Sequence, residues 1–227
     1  NIEKTPKNWD NKIWALNEGI KQSKGEIILS TDGDCIPKND FITIHYKYRK
    51  SGYFLSGGYY KLPIAISEAI TKEDIVSQNC FDLKWLKLKG IKSSFKNNKI
   101  SASGLKCVLL NFFTPTAATW NGHNASGWKK DMLAVNGFDE RMGYGGEDRE
   151  LGERLRNRGI KSKQIRYSAL CVHLDHARCY IDEQVLKENL EIRNPNFKML
   201  RSDSRHLSSP PFRNPMSGVH PENTDKK

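Results

Sequence analysis

Two aspartates separated by one glycine follow the first short apolar run of the chain. Residues 27 to 29 are Ile-Ile-Leu, and Asp32-Gly33-Asp34 comes three residues later. Two residues separated by one other residue project to the same side of an extended backbone, and glycine lets the chain approach a ligand closely. Such a pair can seat a hard divalent cation that carries phosphate oxygens. The same triplet is also typical of an ordinary turn, so the spacing alone leaves both interpretations open.

A second pair of carboxylates follows two glycines in Gly145-Gly146-Glu147-Asp148. Residues 147 to 158 show helical spacing, and the dipole and free N–H groups of a helix N-terminus favour acids on stability grounds alone. The functional interpretation uses the same physics. A carboxylate kept ionised there can take a proton from an attacking hydroxyl, and the glycines leave room for a substrate. Local chemistry does not choose between the two.

His173 and His176 lie at and beyond the end of residues 164 to 173, which have strand character. A histidine at a strand end could complete a metal site begun by Asp34, through a neutral ring nitrogen. A lone histidine is more often structural, and His45 is interpreted as a surface residue of a helix over 39 to 51.

The elements that must position these residues follow an α/β pattern. Residues 8 to 24 are predicted to form an amphipathic helix that ends at Gly25, and the next apolar run is a predicted buried strand. Ligands of open α/β sheets bind at the carboxyl ends of strands, where the first two aspartates are expected. Lys12 and Asn17 lie off the apolar stripe of this helix and are interpreted as solvent-exposed.

Three further segments complete the predicted organisation. Residues 53 to 62 resemble a strand with a bulge at two glycines. Residues 71 to 99 are polar and Lys-rich, and are predicted to be an insertion or lid whose aromatics pack against the protein. A helix is predicted over 182 to 191. One domain is predicted over 1 to 198, followed by a disordered polar tail over 199 to 227.

Composition restricts the class of partner. The 227 residues suffice for one core, and no run of eighteen apolar residues occurs. A net charge of +11 predicts an anionic partner, but it does not distinguish nucleic acid, membrane and phosphorylated substrates. The five scattered cysteines favour reduced thiols in the cytosol. A zinc site is the less favoured alternative, from Cys171, His173, His176 and Cys179.

The motifs together resemble the family 2 glycosyltransferases of GT-A fold, an α/β mixed sheet flanked by helices. The later motifs resemble, more narrowly, the galactosyltransferase-type region of bacterial chondroitin-polymerase-like enzymes and β-1,4-galactosyltransferases. The motifs, in the family's order, are Asn11-Lys12, Asn17-Glu18-Gly19, Gly25-Glu26, Asp32-Gly33-Asp34-Cys35-Ile36-Pro37, Gly122-His123-Asn124, Gly137-Phe138-Asp139-Glu140, Gly145-Gly146-Glu147-Asp148-Arg149-Glu150-Leu151 and Val172-His173-Leu174-Asp175-His176.

The resemblance implies a role for each position of the site. Asp34 would ligate Mn²⁺ or Mg²⁺ with His173, or with His176 as the less favoured choice, and Asp32 would support the ribose and the metal waters. Asp148 would be the catalytic base of an inverting transfer. The remaining implied contacts are Glu147 with sugar or acceptor, Gly145 and Gly146 with the donor sugar, and Lys12 with the donor.

The resemblance also implies the partners. We expect a nucleotide-sugar donor, a UDP-sugar by preference, and a hydroxyl of a growing surface polysaccharide or glycolipid as acceptor, in the cytoplasm or at the inner face of a membrane. The chain starts at the helix before the first aspartate strand, so the family's opening strand–helix–strand segment is expected to be missing. Two rivals remain: a non-catalytic basic module that binds nucleic acid or anionic lipid, and a metal-dependent phosphohydrolase.

Overall fold

A computed structural model describes residues 10–177 and 182–199, and the structural statements below concern these residues. The strands are β1 Ile27–Ser30, β2 Cys35–Pro37, β3 Tyr53–Ser56, β4 Gly58–Lys61, β5 Ala125–Trp128, β6 Lys161–Gln164 and β7 Leu170–His173. The helices are α1 Asp10–Gln22, α2 Phe41–Tyr48, α3 Ile64–Ala69, α4 Lys72–Val76, α5 Leu83–Leu88, α6 Asn98–Ser101, α7 Gly104–Phe113, α8 Lys129–Ala134, α9 Glu147–Asn157 and α10 Glu183–Met199. Single 3₁₀ turns lie at Asn79–Phe81 and Phe95–Asn97.

The strands form two mixed sheets. The first has the order β1-β5-β3-β6, in which β5 runs antiparallel to both neighbours and β6 runs parallel to β3. The second has the order β2-β7-β4, with β7 antiparallel to β2 and parallel to β4. Helices flank both sheets, so the predicted α/β class is confirmed.

Two apolar clusters hold helices against these sheets. In the first, Trp120 is fully buried with its ring centroid 5.9 Å from that of Phe54 on β3. Gly127 and Gly152 leave space for Trp120, since a Cβ on either would lie 2.9 Å from it. The second cluster packs Leu86 of α5 against strand residues of the second sheet. Burial of these side chains provides most of the stabilisation of each layer.

Asn124 joins the two sheets. Its backbone carbonyl accepts a hydrogen bond from the N–H of Gly57. Its side-chain amide donates to the carbonyl of Gly58 at 2.7 Å and to that of Ala169 at 3.1 Å. His45 bridges the Asn124 Oδ1 and the Ser126 hydroxyl, each at 2.8 Å. His45 is 2% exposed, so its interpretation as a surface residue is wrong. A polar ring is buried here because both of its nitrogens are hydrogen-bonded.

Several predicted elements differ in extent. The predicted strand over 53 to 62 is two strands in different sheets, because the chain changes sheet at Gly57, where a Cβ would overlap the Asn124 side chain. The strand predicted over 164 to 173 is likewise divided between β6 and β7. The helix predicted over 182 to 191 extends to Met199, and that predicted over 39 to 51 is confined to Phe41–Tyr48.

The segment over 71 to 99 consists of short helices, and its aromatic residues behave differently from one another. Phe81 and Trp85 pack against the second cluster as predicted, whereas Phe95 is 70% exposed. Cys35, Cys80, Cys107 and Cys171 are free thiols. Cys179 and the predicted tail beyond Met199 lie outside the described residues. In the described part of the chain, no helix combines the length and apolarity needed to cross a bilayer.

Candidate active site

An open pocket of about 250 Å³ brings together residues from most of the length of the chain. It lies between the loop after β1, the glycine loop before α9 and the end of β7. The predicted site residues that line it are Lys12, Asp32, Gly145, Gly146, Glu147, Asp148 and His173. Asp34 lies beside the pocket, with its carboxylate Oδ2 3.5 Å from His173 Nε2.

Asp34 faces two histidines. The strand pairing of β2 with β7 places Cys35 opposite His173, and the N–H of Leu174 donates to the Asp34 carbonyl at 2.9 Å. This register brings the end of β7 onto the loop after β1. His176 Nε2 lies 3.0 Å from Asp34 Oδ2, closer than the 3.5 Å of His173 Nε2. Both histidines named as ligand candidates therefore reach the same carboxylate oxygen.

The partners of the two rings define which nitrogens are available. His173 Nδ1 lies 2.7 Å from the Leu174 carbonyl, and His176 Nδ1 lies 2.9 Å from the Ala177 carbonyl. A carbonyl only accepts, so each Nδ1 carries the proton and the Nε2 of a neutral ring presents a lone pair. Each Nε2 then meets the same Asp34 carboxylate oxygen, and such a contact requires a cation or a proton between the two atoms. This donor set fits a divalent metal ion.

Cys35 extends the candidate metal group, because its sulfur lies with the Asp34 carboxylate and the His173 ring in one cluster. The Cys171 thiol, burial and the neighbouring carboxylates raise the pKa of the Cys35 thiol far above its usual range. Carboxylate and imidazole groups are donors that suit Mn²⁺, whereas soft thiolate ligands favour zinc.

Asp148 lies at the first turn of α9 and is held by a backbone donor. The N–H of Gly122 donates to Asp148 Oδ2 at 2.8 Å. Burial, with the charge of Glu147, raises the pKa of Asp148 to about 7, against the opposing effects of that N–H and of Lys12. Desolvation of this carboxylate therefore outweighs the favourable effect of the helix N-terminus on its pKa. The carboxyl is instead poised to exchange a proton near neutral pH.

Lys12 and Glu147 form an ion pair in the lining of the pocket. Lys12 Nζ lies 3.2 Å from Glu147 Oε1, and the other carboxylate oxygen accepts from the N–H of Gly145 at 2.8 Å. Burial lowers the pKa of Lys12, but Glu147, Asp148 and Asp32 outweigh it and the pKa is raised. The interpretation of Lys12 as a solvent-exposed residue is therefore corrected, and Lys12 is the cation among three carboxylates.

Asp32 is also less acidic than an ordinary aspartate. Burial raises its pKa, Lys12 opposes that effect, and the nearby Asp34 adds to it. Asn17, the other residue interpreted as exposed, is fully buried. Its amide exchanges hydrogen bonds with the backbone of Phe138, at 3.0 Å as donor and 2.8 Å as acceptor. Helix α1 thereby fixes both Lys12 and the loop that leads to the glycines.

Helix α10 clamps the glycine loop through Asn189, a residue that sequence reasoning missed. The Asn189 amide accepts from the N–H of Gly143 at 3.1 Å and donates to the carbonyls of Gly143, Tyr144 and Gly145 at 3.2, 3.2 and 2.8 Å. Gly145 and Gly146 have φ of 109° and 93°, which favours glycine. A Cβ on Gly145 would also lie 2.3 Å from Leu186 of α10. The glycines therefore permit close packing of α10 as well as an open pocket.

A buried ion pair attaches α9 to the loop over 135 to 137. Arg154 donates to both carboxylate oxygens of Glu150, at 2.5 and 2.6 Å, and to the carbonyls of Val135 and Gly137. It is only 6% exposed, and its hydrogen bonds satisfy carbonyls that face the interior.

Aromatic rings form the third wall of the pocket, and sequence reasoning gave them no role. Tyr59 stacks edge-on against His123, with ring centroids 4.6 Å apart, and lies 5.8 Å from the His173 ring. Burial and neighbouring positive groups lower the pKa of His123 to about 4, so the ring is neutral. His123 stands in one of the quoted motifs, which was the only available signal. Nothing in the local sequence distinguishes Tyr59 or Asn189 from structural residues.

Two family models match the chain. Residues 1–63 match Glycosyl transferase family 2, and residues 111–177 match the N-terminal domain of galactosyltransferase. The first segment contains Lys12, Asp32 and Asp34, and the second contains the glycine loop and both histidines. Both families are glycosyltransferases, so the predicted resemblance to them is confirmed. The narrower resemblance to chondroitin-polymerase-like enzymes stays a prediction.

One solved structure similar to the chain is the mannosyltransferase PcManGT from Pyrobaculum calidifontis in complex with GDP-Man and Mn²⁺. The identity is 16%, the alignment covers 91% of this chain, and the TM-score is 0.47. The chain spans 47% of the length of that protein, about half. A search of curated proteins found no match.

Proposed function

We propose that this chain, which carries two glycosyltransferase segments, is a metal-dependent inverting transferase that moves a sugar from a nucleotide diphosphate to an acceptor hydroxyl. The single observation that carries the proposal is the arrangement of one pocket. A carboxyl with a pKa of about 7, Asp148, faces the same space as Asp32 and as His173, which lies beside Asp34. Transfer of a sugar to a hydroxyl requires a proton acceptor and a cation-binding site in the same pocket.

Asp148 is the proposed base. In its ionised form it takes the proton of the acceptor hydroxyl, whose oxygen forms a bond to the anomeric carbon while the bond from that carbon to the diphosphate oxygen breaks. The electron pair of the broken bond leaves with the nucleoside diphosphate, and attack from the opposite side inverts the centre. Gly122 orients the base, since its N–H holds one carboxylate oxygen at 2.8 Å.

Asp34 and His173 are the proposed ligands of Mn²⁺ or Mg²⁺, with His176 as an alternative or additional ligand. When bound, the ion would neutralise charge on the leaving diphosphate. Asp32 is proposed to contact the ribose and metal-bound waters. Lys12 is proposed to contact the donor, because it lines the pocket and its charge acts on Glu147, Asp148 and Asp32.

Gly145, Gly146 and Glu147 are the proposed sugar-binding elements. The glycines expose backbone groups to the pocket, and Glu147 is already held by Lys12 and by the N–H of Gly145. A carboxylate fixed by two donors keeps its position when a sugar hydroxyl binds to it. This preorganisation supports a role in binding rather than in proton transfer.

The proposed donor is a UDP-sugar and the proposed acceptor a growing surface polysaccharide or glycolipid, in the cytoplasm at the inner face of a membrane. The net charge of +11 supports an anionic donor and an acidic membrane surface. Residues 1 to 198 are proposed to act as one transferase domain, because the site draws on residues from Lys12 to Asn189.

The thermal stability of the chain with UDP, GDP and dTDP, each with and without Mn²⁺, tests this proposal. A ligand that binds only the folded state raises the midpoint. We expect a shift that needs both the metal and the nucleotide and that is lost in Asp34→Asn. Glu68→Gln is the matched control, because it removes one exposed carboxylate of α3. A shift that survives Asp34→Asn, or one that is independent of metal, would contradict the assignment.

A further inference from the structure

Helix α7 presents its apolar side to the outside. Its five exposed apolar residues are spaced as i, i+3, i+4, i+7 and i+8, the pattern of a continuous stripe: Leu105, Val108, Leu109, Phe112 and Phe113. Phe112 and Phe113 are 79% and 71% exposed. The opposite side carries Cys107 and Asn111, which bond to the backbone carbonyl and N–H of Tyr167 at 3.1 and 2.8 Å. The helix is therefore attached by polar groups, and none of the residues that the structure describes covers its apolar stripe.

The chain around this helix is strongly basic. Residues 83–113 contain seven lysines and no aspartate or glutamate. Six of these lysines are exposed: Lys84, Lys87, Lys89, Lys92, Lys96 and Lys106. Leu88 and Phe95 add exposed apolar side chains between them. An uncovered apolar helix within an acid-free, lysine-rich segment has the composition of an interfacial membrane-binding element.

We propose that residues 83–113, the α5–α7 surface, dock on an anionic lipid bilayer. The stripe of α7 enters the boundary between headgroups and acyl chains, and the exposed lysines lie at the phosphates. A second copy of this chain is a poorer occupant of the same surface, because a symmetric contact would bring its lysines against their own copies. An anionic bilayer offers an apolar interior for the stripe of α7 and negative headgroups for the exposed lysines.

The surface is attached to the wall of the pocket. Lys99 donates to the Tyr59 carbonyl at 2.8 Å, and its ammonium lies 5.0 Å from the centroid of the Tyr59 ring. Tyr59 in turn contacts the His123 ring of the pocket. Residues 83–110 lie between the two segments that match glycosyltransferase families. Docking would hold the pocket near the bilayer, which suits an acceptor that is itself at the membrane.

Vesicle cosedimentation of the whole chain tests the proposal. We expect binding to phosphatidylcholine vesicles that contain phosphatidylglycerol, little binding to phosphatidylcholine alone, and weaker binding as salt is raised. The double variant Phe112→Ser/Phe113→Ser should lower partition by about tenfold or more, because the apolar contact is lost. The variant Lys87→Gln/Lys92→Gln/Lys96→Gln should bind more weakly and with a smaller salt dependence. Neither set removes a buried contact, so thermal midpoints should stay near that of the wild type.

Ile42→Ser is the matched control, since Ile42 is 72% exposed on α2 and lies outside the α5–α7 surface. Equal loss of binding in Ile42→Ser and in the double phenylalanine variant would overturn the proposal. It would also be overturned if the wild type ignored anionic vesicles, or if it formed an oligomer that the phenylalanine variant dissolves and bound no lipid. Vesicle binding needs no nucleotide or metal, so its failure would be distinct from failure of the proposed transfer activity.

Discussion

At the scale of single residues, the site depends on one carboxyl whose environment opposes its ionisation. Asp148 stands at a helix N-terminus and accepts an N–H, and both features favour the charged form. Burial and the adjacent Glu147 nevertheless raise its pKa to about 7. The balance is useful to a base, because a carboxylate with a pKa near neutrality combines sufficient proton affinity with a substantial ionised fraction.

The raised pKa predicts how Asp148→Asn changes stability with pH. The folded protein binds this proton more tightly than the unfolded chain, so the favourable contribution of the protonated group is lost as pH rises from about 4 towards 7 and above. We expect the thermal midpoint of Asp148→Asn to rise relative to that of the wild type across this range and to level off above it. Glu68→Gln, on the surface, should show no such trend. A difference between Asp148→Asn and wild type that stays constant with pH would contradict the shift.

Gly122→Ala should impair transfer without unfolding the protein. A Cβ at Gly122 would lie 2.9 Å from Asp148 Oδ2, so the carboxylate must move. Displacing a reacting group by about 1 Å costs about a hundredfold in rate. We expect a fall in kcat of that order, with a small change in thermal midpoint. Gly19→Ala is the control, because a Cβ there meets nothing within 4 Å. Unchanged kcat in Gly122→Ala would remove the proposed role of this contact.

At the scale of elements, α10 holds the glycine loop and α9 in place. Its inner face reaches the glycine loop through Asn189 and the side of α9 through Arg193, which pairs with Glu153 at 2.7 Å. The sequence predicts a helix here from its pattern of polar and apolar residues. Its function could not be predicted, because Asn189 meets Gly143 across 46 positions of sequence and only the folded chain brings them together.

Asn189→Ala should therefore loosen the pocket. The substitution removes one acceptor and leaves three partly buried loop carbonyls without their protein donor, and a typical intramolecular hydrogen bond contributes about 0.5–1.5 kcal/mol. We expect a lower thermal midpoint together with weaker binding of the nucleotide in the metal-dependent thermal shift. Gln184→Ala on the exposed face of α10 removes a bond only to Glu188 and should change neither. Loss of stability with unaltered nucleotide binding would assign Asn189 a structural role alone.

At the scale of the whole molecule, prediction succeeded where local pattern determines structure. Periodicity and helix-end preferences predicted three features to within a few residues: the apolar strand before Asp32, the acids at the start of α9 and the end of β7. The joining of two sheets was not predictable. The changeover at Gly57 and the burial of His45 depend on Asn124, which lies 79 positions from His45 and bonds both sheets at once. Local propensity carries no signal for such a contact.

This junction predicts an acid sensitivity that belongs to the whole fold. Burial lowers the pKa of His45 to about 4 from its usual 6.5, against the opposing bond to Asn124. The unfolded chain therefore binds the proton first, and stability is lost as pH falls from 6.5 to 4, by about 1.4 kcal/mol per pH unit for this one group.

Urea unfolding across this range should show a shallower loss of unfolding free energy in His45→Gln than in the wild type. Ser126→Ala removes the hydroxyl that His45 bonds at 2.8 Å but keeps the ring, so it should lower stability at every pH and retain the wild-type slope. If the unfolding free energy fell with pH at the same slope in all three proteins, protonation of His45 would not be the cause of the acid sensitivity.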